Sequence, residues 1–127
     1  ILTPGAGGGP RVRVLSGATG EALADFFGIA DAGFRGGAHA AVGDLGGDGT
    51  AELVVTAGTG GGPRVAVWDW DSLSAGEPAR VVPDFFAFDP AGRGGAYVSA
   101  GDLNADGADD LAFGSGPGES GRVLALD

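Results

Sequence analysis

The chain has 127 residues, the length of one ordinary domain, and carries a formal net charge of −10. It contains 28 glycines but no cysteine, which excludes disulfides and thiolate metal sites. The acidic charge argues against nucleic-acid binding, since phosphates are neutralised by a basic face. No apolar run approaches the roughly 18 residues that a membrane span requires. The composition therefore predicts many short strands joined by tight turns.

The sequence repeats itself along its length. The segment TPGAGGGPRVRV at residues 3–14 returns as TAGTGGGPRVAV at residues 56–67. The segment ELVVTAGTGGGPRVAVWD at residues 52–69 returns as DLAFGSGPGESGRVLALD at residues 110–127, 58 positions later. The chain therefore holds slightly more than two copies of one unit, a pattern typical of repeat architectures.

Each unit is predicted to form four strands, and no helical period of useful length is present. The fourth strand contains Pro83, which favours an edge position. A radial array of four-stranded antiparallel sheets is a β-propeller, and this all-β fold is our prediction. A β-sandwich is the alternative, but it does not explain the repetition. In the central unit the predicted strands cover residues 38–44, 51–58, 63–68 and 80–89.

The repeat register divides the chain into just over two predicted blades. Residues 1–37 form a partial blade with strands two to four, and residues 38–95 form a complete blade. Residues 96–127 form a partial blade with strands one to three. We expect a further acidic loop before Ile1 in a parent protein. We also expect neighbouring blades, from the parent chain or from other copies, to cover the open faces.

Two acidic loops at residues 44–52 and 102–110 place oxygen-bearing groups at alternate positions. Glycine at position 6 permits a sharp bend, and the carbonyl at position 7 can add an oxygen. Five or six hard oxygens around one point suit Ca²⁺. The predicted ligands are Asp44, Asp48, Thr50 and Glu52 in the first loop, and Asp102, Asn104, Asp106, Ala108 and Asp110 in the second.

The continuation of each loop narrows the kind of calcium site. An EF-hand carries an acid at position 12, where this chain has Val55 and Phe113. Position 3 of the first loop is Gly46, so that loop has one ligand fewer and should bind more weakly. Solvated Asp-Gly turns without metal remain the alternative for both loops.

These loops, with FGSGPG at residues 113–118 and a degraded VTAGTG at residues 55–60, resemble the FG-GAP repeats of integrin α-subunit β-propellers and their bacterial relatives. The resemblance covers essentially the whole chain. It implies a propeller with Ca²⁺ in the loop joining the first two strands of a blade. The GGGPRV and DFFAFDP segments look like those of large secreted bacterial repeat proteins.

Several other residues are predicted to have packing roles. Trp68 is expected in the core, and Trp70 is expected to be more exposed in the loop that follows. His39, which aligns with Tyr97, is expected at a packing or rim position. Arg35 and Arg93 share an Arg-Gly-Gly turn and are expected to cap carbonyls or pair with acids. The phenylalanines predicted to form the core between blades are Phe26, Phe27, Phe85, Phe86 and Phe88.

The absence of a recognisable nucleophile and base pair favours a protein that is not an enzyme. We expect a calcium-stabilised propeller segment of a secreted or cell-surface protein with a structural or adhesive role. A carbohydrate-binding propeller is the first alternative, resting on Trp70 as a flat aromatic surface for a sugar. The other alternative is a non-catalytic segment attached to a secreted enzyme. Extracellular calcium, at about 10⁻⁴–10⁻³ M, would suit such loops.

Overall fold

A computed structural model describes all residues from 1 to 127 and shows an all-β protein with one short helix. Its nine strands form three antiparallel sheets: sheet I (β1 and β2), sheet II (β3 to β6) and sheet III (β7 to β9). No helix is long and apolar enough to span a membrane. The elements are β1 (Arg11–Leu15), β2 (Ala22–Phe27), β3 (Ala38–Gly43), β4 (Glu52–Ala57), β5 (Arg64–Asp69), α1 (Trp70–Ser74), β6 (Phe85–Phe86), β7 (Ala96–Gly101), β8 (Asp110–Ser115) and β9 (Val123–Leu126).

The three antiparallel sheets confirm the predicted all-β class. Sheets II and III also pair their first two strands in the same register. In sheet II, β3 pairs with β4 from Ala38↔Ala57 to Gly43↔Glu52. In sheet III, β7 pairs with β8 over equivalent residues, ending at Gly101↔Asp110. Each pair ends where an acidic loop begins, so the two loops occupy equivalent places in their sheets.

The three sheets pack face to face through two apolar clusters. Because side chains alternate along a strand, Leu53 and Val55 of β4 pack towards sheet I, whereas Val54 packs towards sheet III. Strand β4 is thus buried on both faces, as its continuous apolar sequence predicted. The first cluster includes Val12, Val14, Leu53, Val55, Ala66 and Trp68; the second includes Val54, Val65, Val67, Leu111 and Phe113.

Backbone hydrogen bonds join neighbouring sheets where an Arg-Gly-Gly turn meets a glycine-rich loop. We call these bonds the seam. The Gly60 N–H donates to the Arg93 carbonyl at 2.7 Å, and the Gly95 N–H donates to the Gly61 carbonyl at 3.1 Å. The seam between sheets I and II uses the equivalent atoms, with Gly7 donating to Arg35 at 2.7 Å and Gly37 to Gly8 at 3.0 Å.

The seam requires glycine because the backbones approach closely. A Cβ at Gly95 would overlap the carbonyl oxygens of Ala57 and Gly58 in the neighbouring sheet, and Gly95 also has a left-handed φ of 72°. The arginine of each turn caps carbonyls, as predicted. Arg93 Nη1 donates to the carbonyls of Pro90 and Gly92 at 2.9 and 2.7 Å.

The fourth predicted strand of the central unit is much shorter than expected. Only Phe85–Phe86 forms a strand, pairing with β5, and an isolated bridge joins Arg80 to Trp68. Backbone bonds to β5 continue outside this strand, since the Val81 N–H donates to the Val67 carbonyl at 3.0 Å. Side chains add to them: Arg80 Nε donates to Asp84 Oδ1 at 2.5 Å, and the Arg80 guanidinium lies 3.3 Å from the Trp68 ring centroid. Pro83 lacks the N–H that a longer ladder would use.

The phenylalanines divide by strand face, so the prediction that all five lie in a core was wrong. Phe26 packs edge-on against Trp68, with ring centroids 4.8 Å apart, and Phe85 packs against Phe113. Phe27 and Phe86 point the other way and are about half exposed. The alternation of neighbours along a strand makes one of each Phe-Phe pair face solvent.

A one-turn helix, α1, follows β5 and was not predicted. Asp69 caps its N-terminus by accepting from the Ser72 N–H at 2.7 Å, and Leu73 is buried. Trp70, the first residue of the helix, packs against the first cluster and is half-buried, in agreement with its predicted packing role. Five residues are too few to give a helical period in the sequence.

Replacing Gly95 by alanine should destabilise the protein more than replacing Gly76 does. Both glycines have a left-handed φ, 72° and 79°, but an added Cβ at Gly76 meets nothing within 4 Å. We expect Gly76→Ala to cost about 1–2 kcal/mol from backbone strain. Gly95→Ala should cost about 2–5 kcal/mol, because overpacking adds to that strain. Urea unfolding measures both, and equal costs would contradict a tight seam.

Candidate metal centre

The two acidic loops join β3 to β4 and β7 to β8, and both close on themselves in the same way. At position 9, the Glu52 carboxylate accepts from the Leu45 N–H at 2.9 Å. The Asp110 carboxylate accepts from the Leu103 N–H at the same distance. A side chain at the end of each loop therefore holds the backbone at its beginning.

The aspartate at position 1 accepts hydrogen bonds from backbone amides in the middle of each loop. The Asp44 carboxylate accepts from the N–H groups of Asp48 and Gly49 at 3.1 and 2.7 Å. Asp102 accepts from the equivalent amides, those of residues 106 and 107, at 3.2 and 3.1 Å. Each loop is thus folded around the carboxylate that the sequence places first.

The backbone has the same conformation in both loops at positions 4 and 6. Position 6 is left-handed in both loops, with φ of 87° at Gly49 and 95° at Gly107, as the predicted sharp bend demands. Position 4 is left-handed as well, at Gly47 and at Ala105, whose φ is 64°. Ala105 is the one residue other than glycine with a positive φ, so the loop imposes this conformation on it.

Position 5 also lies in the same arrangement in both loops. Asp48 Oδ1 accepts from the Thr50 N–H at 2.8 Å, and Asp106 Oδ1 accepts from the Ala108 N–H at 2.9 Å. The amide of Ala108, followed by the side chain of Asn104, lowers the pKa of Asp106. These bonds favour the ionised form of Asp106.

Position 3 distinguishes the two loops. Asn104 Oδ1 accepts from the Asp106 N–H at 3.0 Å, and its Nδ2 donates to Asp106 Oδ2 at 2.9 Å. Gly46 offers the first loop no side chain. A Cβ placed on Gly46 would meet only Asp48, at an ordinary contact distance of 3.8 Å. The first loop therefore has room for the side chain that it lacks.

The first loop concentrates negative charge around a partly desolvated acid. Burial raises the pKa of Glu52, the Leu45 amide opposes this effect, and the charges of Asp48 and Asp44 raise it further. A cation in the loop would offset the repulsion between these carboxylates.

The donor chemistry fits a hard cation, because every side chain predicted as a ligand offers oxygen. The carboxylates are turned onto the amides of their own loops, and no group of three or more acidic or histidine side chains is gathered as a metal site. Ca²⁺ coordination would require free carboxylate oxygens to turn inwards. The ligand set, including the carbonyls of Thr50 and Ala108, stays a prediction.

Asp109 links the two loops, a role that was not predicted. Its Oδ2 accepts from the Asp44 N–H at 3.0 Å, and its own N–H donates to the Asp44 carbonyl at 2.8 Å. Gly43 beside it leaves the space, since a Cβ there would lie 2.8 Å from Asp109 Oδ2. The one feature of the sequence that could have indicated this role is the extra acid at position 8, which the second loop has and the first loop lacks.

The aromatic residues His39 and Trp70 both pack against neighbouring groups, and the cavity beside Trp70 is also lined by Glu52 of the first loop. The His39 ring lies 4.4 Å from that of Tyr97, and burial lowers the pKa of His39, which fits the predicted packing position. Trp70 lines a small apolar cavity of about 160 Å³ together with Val14 and Leu53.

Comparison with known proteins adds no relative to these observations. No family model, no curated protein and no solved structure matches the chain.

Replacing Asp109 by alanine should destabilise the protein in calcium-free buffer. The loss of a charge-assisted hydrogen bond at a half-buried site should cost about 1–2 kcal/mol. Asp109→Asn keeps an oxygen acceptor and should cost less. Urea unfolding in EDTA measures both variants. Equal losses for alanine and asparagine would contradict the hydrogen bond to Asp44.

Proposed function

We propose that the chain is a calcium-stabilised β-propeller segment with a structural or adhesive role in a secreted or cell-surface protein. The observation that carries this proposal is that the two acidic loops, at equivalent places in stacked sheets, share their left-handed positions and their carboxylate–amide hydrogen bonds. Two loops that differ in sequence at positions 3, 4, 7, 8 and 9 nevertheless share their left-handed positions and the amide bonds to the carboxylates at positions 1, 5 and 9. A common ligand would account for the retained acids.

The stacking of the sheets supports the propeller part of the proposal. Sheets I and II and sheets II and III meet through the same pair of backbone bonds, so one packing relation is repeated. A repeated relation between successive sheets is the geometry from which blades are arranged around an axis. Neighbouring blades, from the same parent chain or from other copies, are the partners that this architecture proposes.

Calcium would stabilise each loop by replacing repulsion between carboxylates with coordination. In the first loop Asp44, Asp48 and Glu52 would supply side-chain oxygens, and Thr50 a carbonyl. In the second loop the ligands would be Asp102, Asn104, Asp106, Asp110 and the Ala108 carbonyl. The chain's own contribution is a backbone already bent around these groups, which lowers the entropy that binding must overcome.

A structural or adhesive role suits an acidic, glycine-rich chain whose sheets are joined by backbone hydrogen bonds and whose loops are closed by carboxylate–amide bonds. Extracellular calcium, at about 10⁻⁴–10⁻³ M, would keep loops of modest affinity occupied. A carbohydrate-binding propeller has weaker support, because Trp70 packs against the apolar cluster between sheets I and II. A glycan array would separate these two functions.

Exchanging position 3 between the loops tests the calcium sites. Gly46→Asn should tighten binding at the first loop, and Asn104→Gly should weaken it at the second. Calcium at about 100 times its Kd should stabilise the natural chain by about 2.7 kcal/mol per site, and EDTA should reverse the gain. Calorimetric titration and thermal unfolding with and without calcium measure these effects.

Asp71→Asn is the matched control, because it removes one carboxylate in the first turn of α1, outside both loops. It should leave calcium binding and the calcium-dependent rise in Tm unchanged. A natural chain whose Tm is the same in calcium and in EDTA would show that the loops are plain turns. Equal calcium affinities in both position-3 variants and the natural chain would exclude the predicted ligand set.

A further inference from the structure

One equivalent position is buried in two sheets and exposed in the third. Val12 of sheet I and Val65 of sheet II are both 0% exposed, because each lies under the next sheet. The repeat places Val123 of sheet III at the same position, and it is 79% exposed. The outer face of sheet III therefore has the residue type of a packed face without a sheet on it.

The backbone groups of sheet III that correspond to the seam are likewise without partners. Gly118 corresponds to Gly7 and Gly60, and all three are left-handed, with φ of 83°, 94° and 94°. In sheets I and II the N–H of this glycine donates to the arginine carbonyl of the next Arg-Gly-Gly turn. In sheet III neither the Gly118 N–H nor the carbonyl of the following Glu119 has a hydrogen-bond partner.

Tyr97 supplies a third position at the same face. The corresponding residue of sheet II, His39, is half-buried, with its ring 4.4 Å from that of Tyr97 in the next sheet. Tyr97 itself is 48% exposed. An aromatic or imidazole ring from a further sheet would take the place on Tyr97 that Tyr97 takes on His39.

We propose that the outer face of sheet III binds a further repeat unit. This unit carries an Arg-Gly-Gly turn that is not yet hydrogen-bonded to another sheet, and an aromatic or imidazole ring two residues after the second glycine of that turn. The arginine carbonyl of that turn would accept from Gly118 N–H, and its second glycine would donate to the Glu119 carbonyl. The inference rests on the proposed propeller and specifies the partner at one of its faces.

A second copy of this chain fits that face poorly. Both of its Arg-Gly-Gly turns, residues 35–37 and 93–95, are already engaged within their own chain. Its remaining outer face, on sheet I, carries Arg13 where sheet II has the fully buried Ala66. Arg13 and Arg11 both hold Asp25, so docking would bury this ion-paired cluster at a desolvation cost.

The test appends a second copy of residues 70–127 after Asp127, which continues the repeat in register. The natural chain contains one tyrosine, so the appended copy carries phenylalanine at its equivalent of residue 97. Tyr97 then remains the sole tyrosine, and its rate of nitration reports whether it is covered. We expect the rate to fall about tenfold or more relative to the 127-residue chain, since only open states would react.

Two variants separate specific docking from general crowding. Gly95→Val within the appended copy places a side chain in the new seam and should restore rapid nitration of Tyr97. Val123→Ser should leave the Tm of the 127-residue chain unchanged, because Val123 is exposed there, but should weaken the protection of Tyr97 in the extended chain. Protection that survives both variants would overturn the proposal.

Three further outcomes would also overturn it: an extended chain that fails to unfold cooperatively, rapid nitration of Tyr97 in a folded extended chain, and protection that appears in the 127-residue chain as its concentration rises. The last result would identify a second copy as the occupant. Docking is measured at Tyr97 and calcium binding by calorimetry. A failure of the docking proposal is therefore distinguishable from a failure of the proposed calcium sites.

Discussion

The close approach of backbone to backbone at the seam is the constraint on which the rest of this structure depends. Two amide hydrogen bonds join each sheet to the next, and at Gly37 and Gly95 only glycine leaves room for the neighbouring backbone. Once the seam is set, the apolar faces of neighbouring strands are in contact along their length. The high glycine content is therefore a packing requirement as well as a property of turns.

The seam lies at one end of the sheets, and the acidic loops lie next to each other at the other end. Strands β3 and β7 run side by side from the Arg-Gly-Gly turns, so the loops that follow them emerge next to each other. Thr56 Oγ1 donates to the Ala96 carbonyl at 2.5 Å between the two sheets, and Asp109 reaches Asp44 beyond it. The two acidic loops are therefore in direct contact through Asp109 and Asp44.

The sequence predicted those features that depend on short-range pattern and repetition. Alternation and apolar runs identified β4 and β5, and the repeated Arg-Gly-Gly segment indicated carbonyl caps. The features that were missed depend on partners distant in the chain. Asp109 has a role only because sheet stacking brings it to Asp44. The short fourth strand is a different case: Pro83 lacks the N–H for a longer ladder, and this residue was used only to predict an edge position.

The carboxylates of this acidic chain are stabilised in two ways. Outside the loops, Asp25 and Asp84 pair with arginines. Hydrogen bonds from Arg11 and then Arg13 lower the pKa of Asp25 to about 2. Within the loops no arginine pairs with a carboxylate, and the carboxylates accept from backbone amides and, at Asp106, from the Asn104 side chain. Seven arginines against 17 acids leave many acids without a cation. Because amide dipoles neutralise less charge than a full positive ion, the loops are the places where a divalent cation would contribute most to stability.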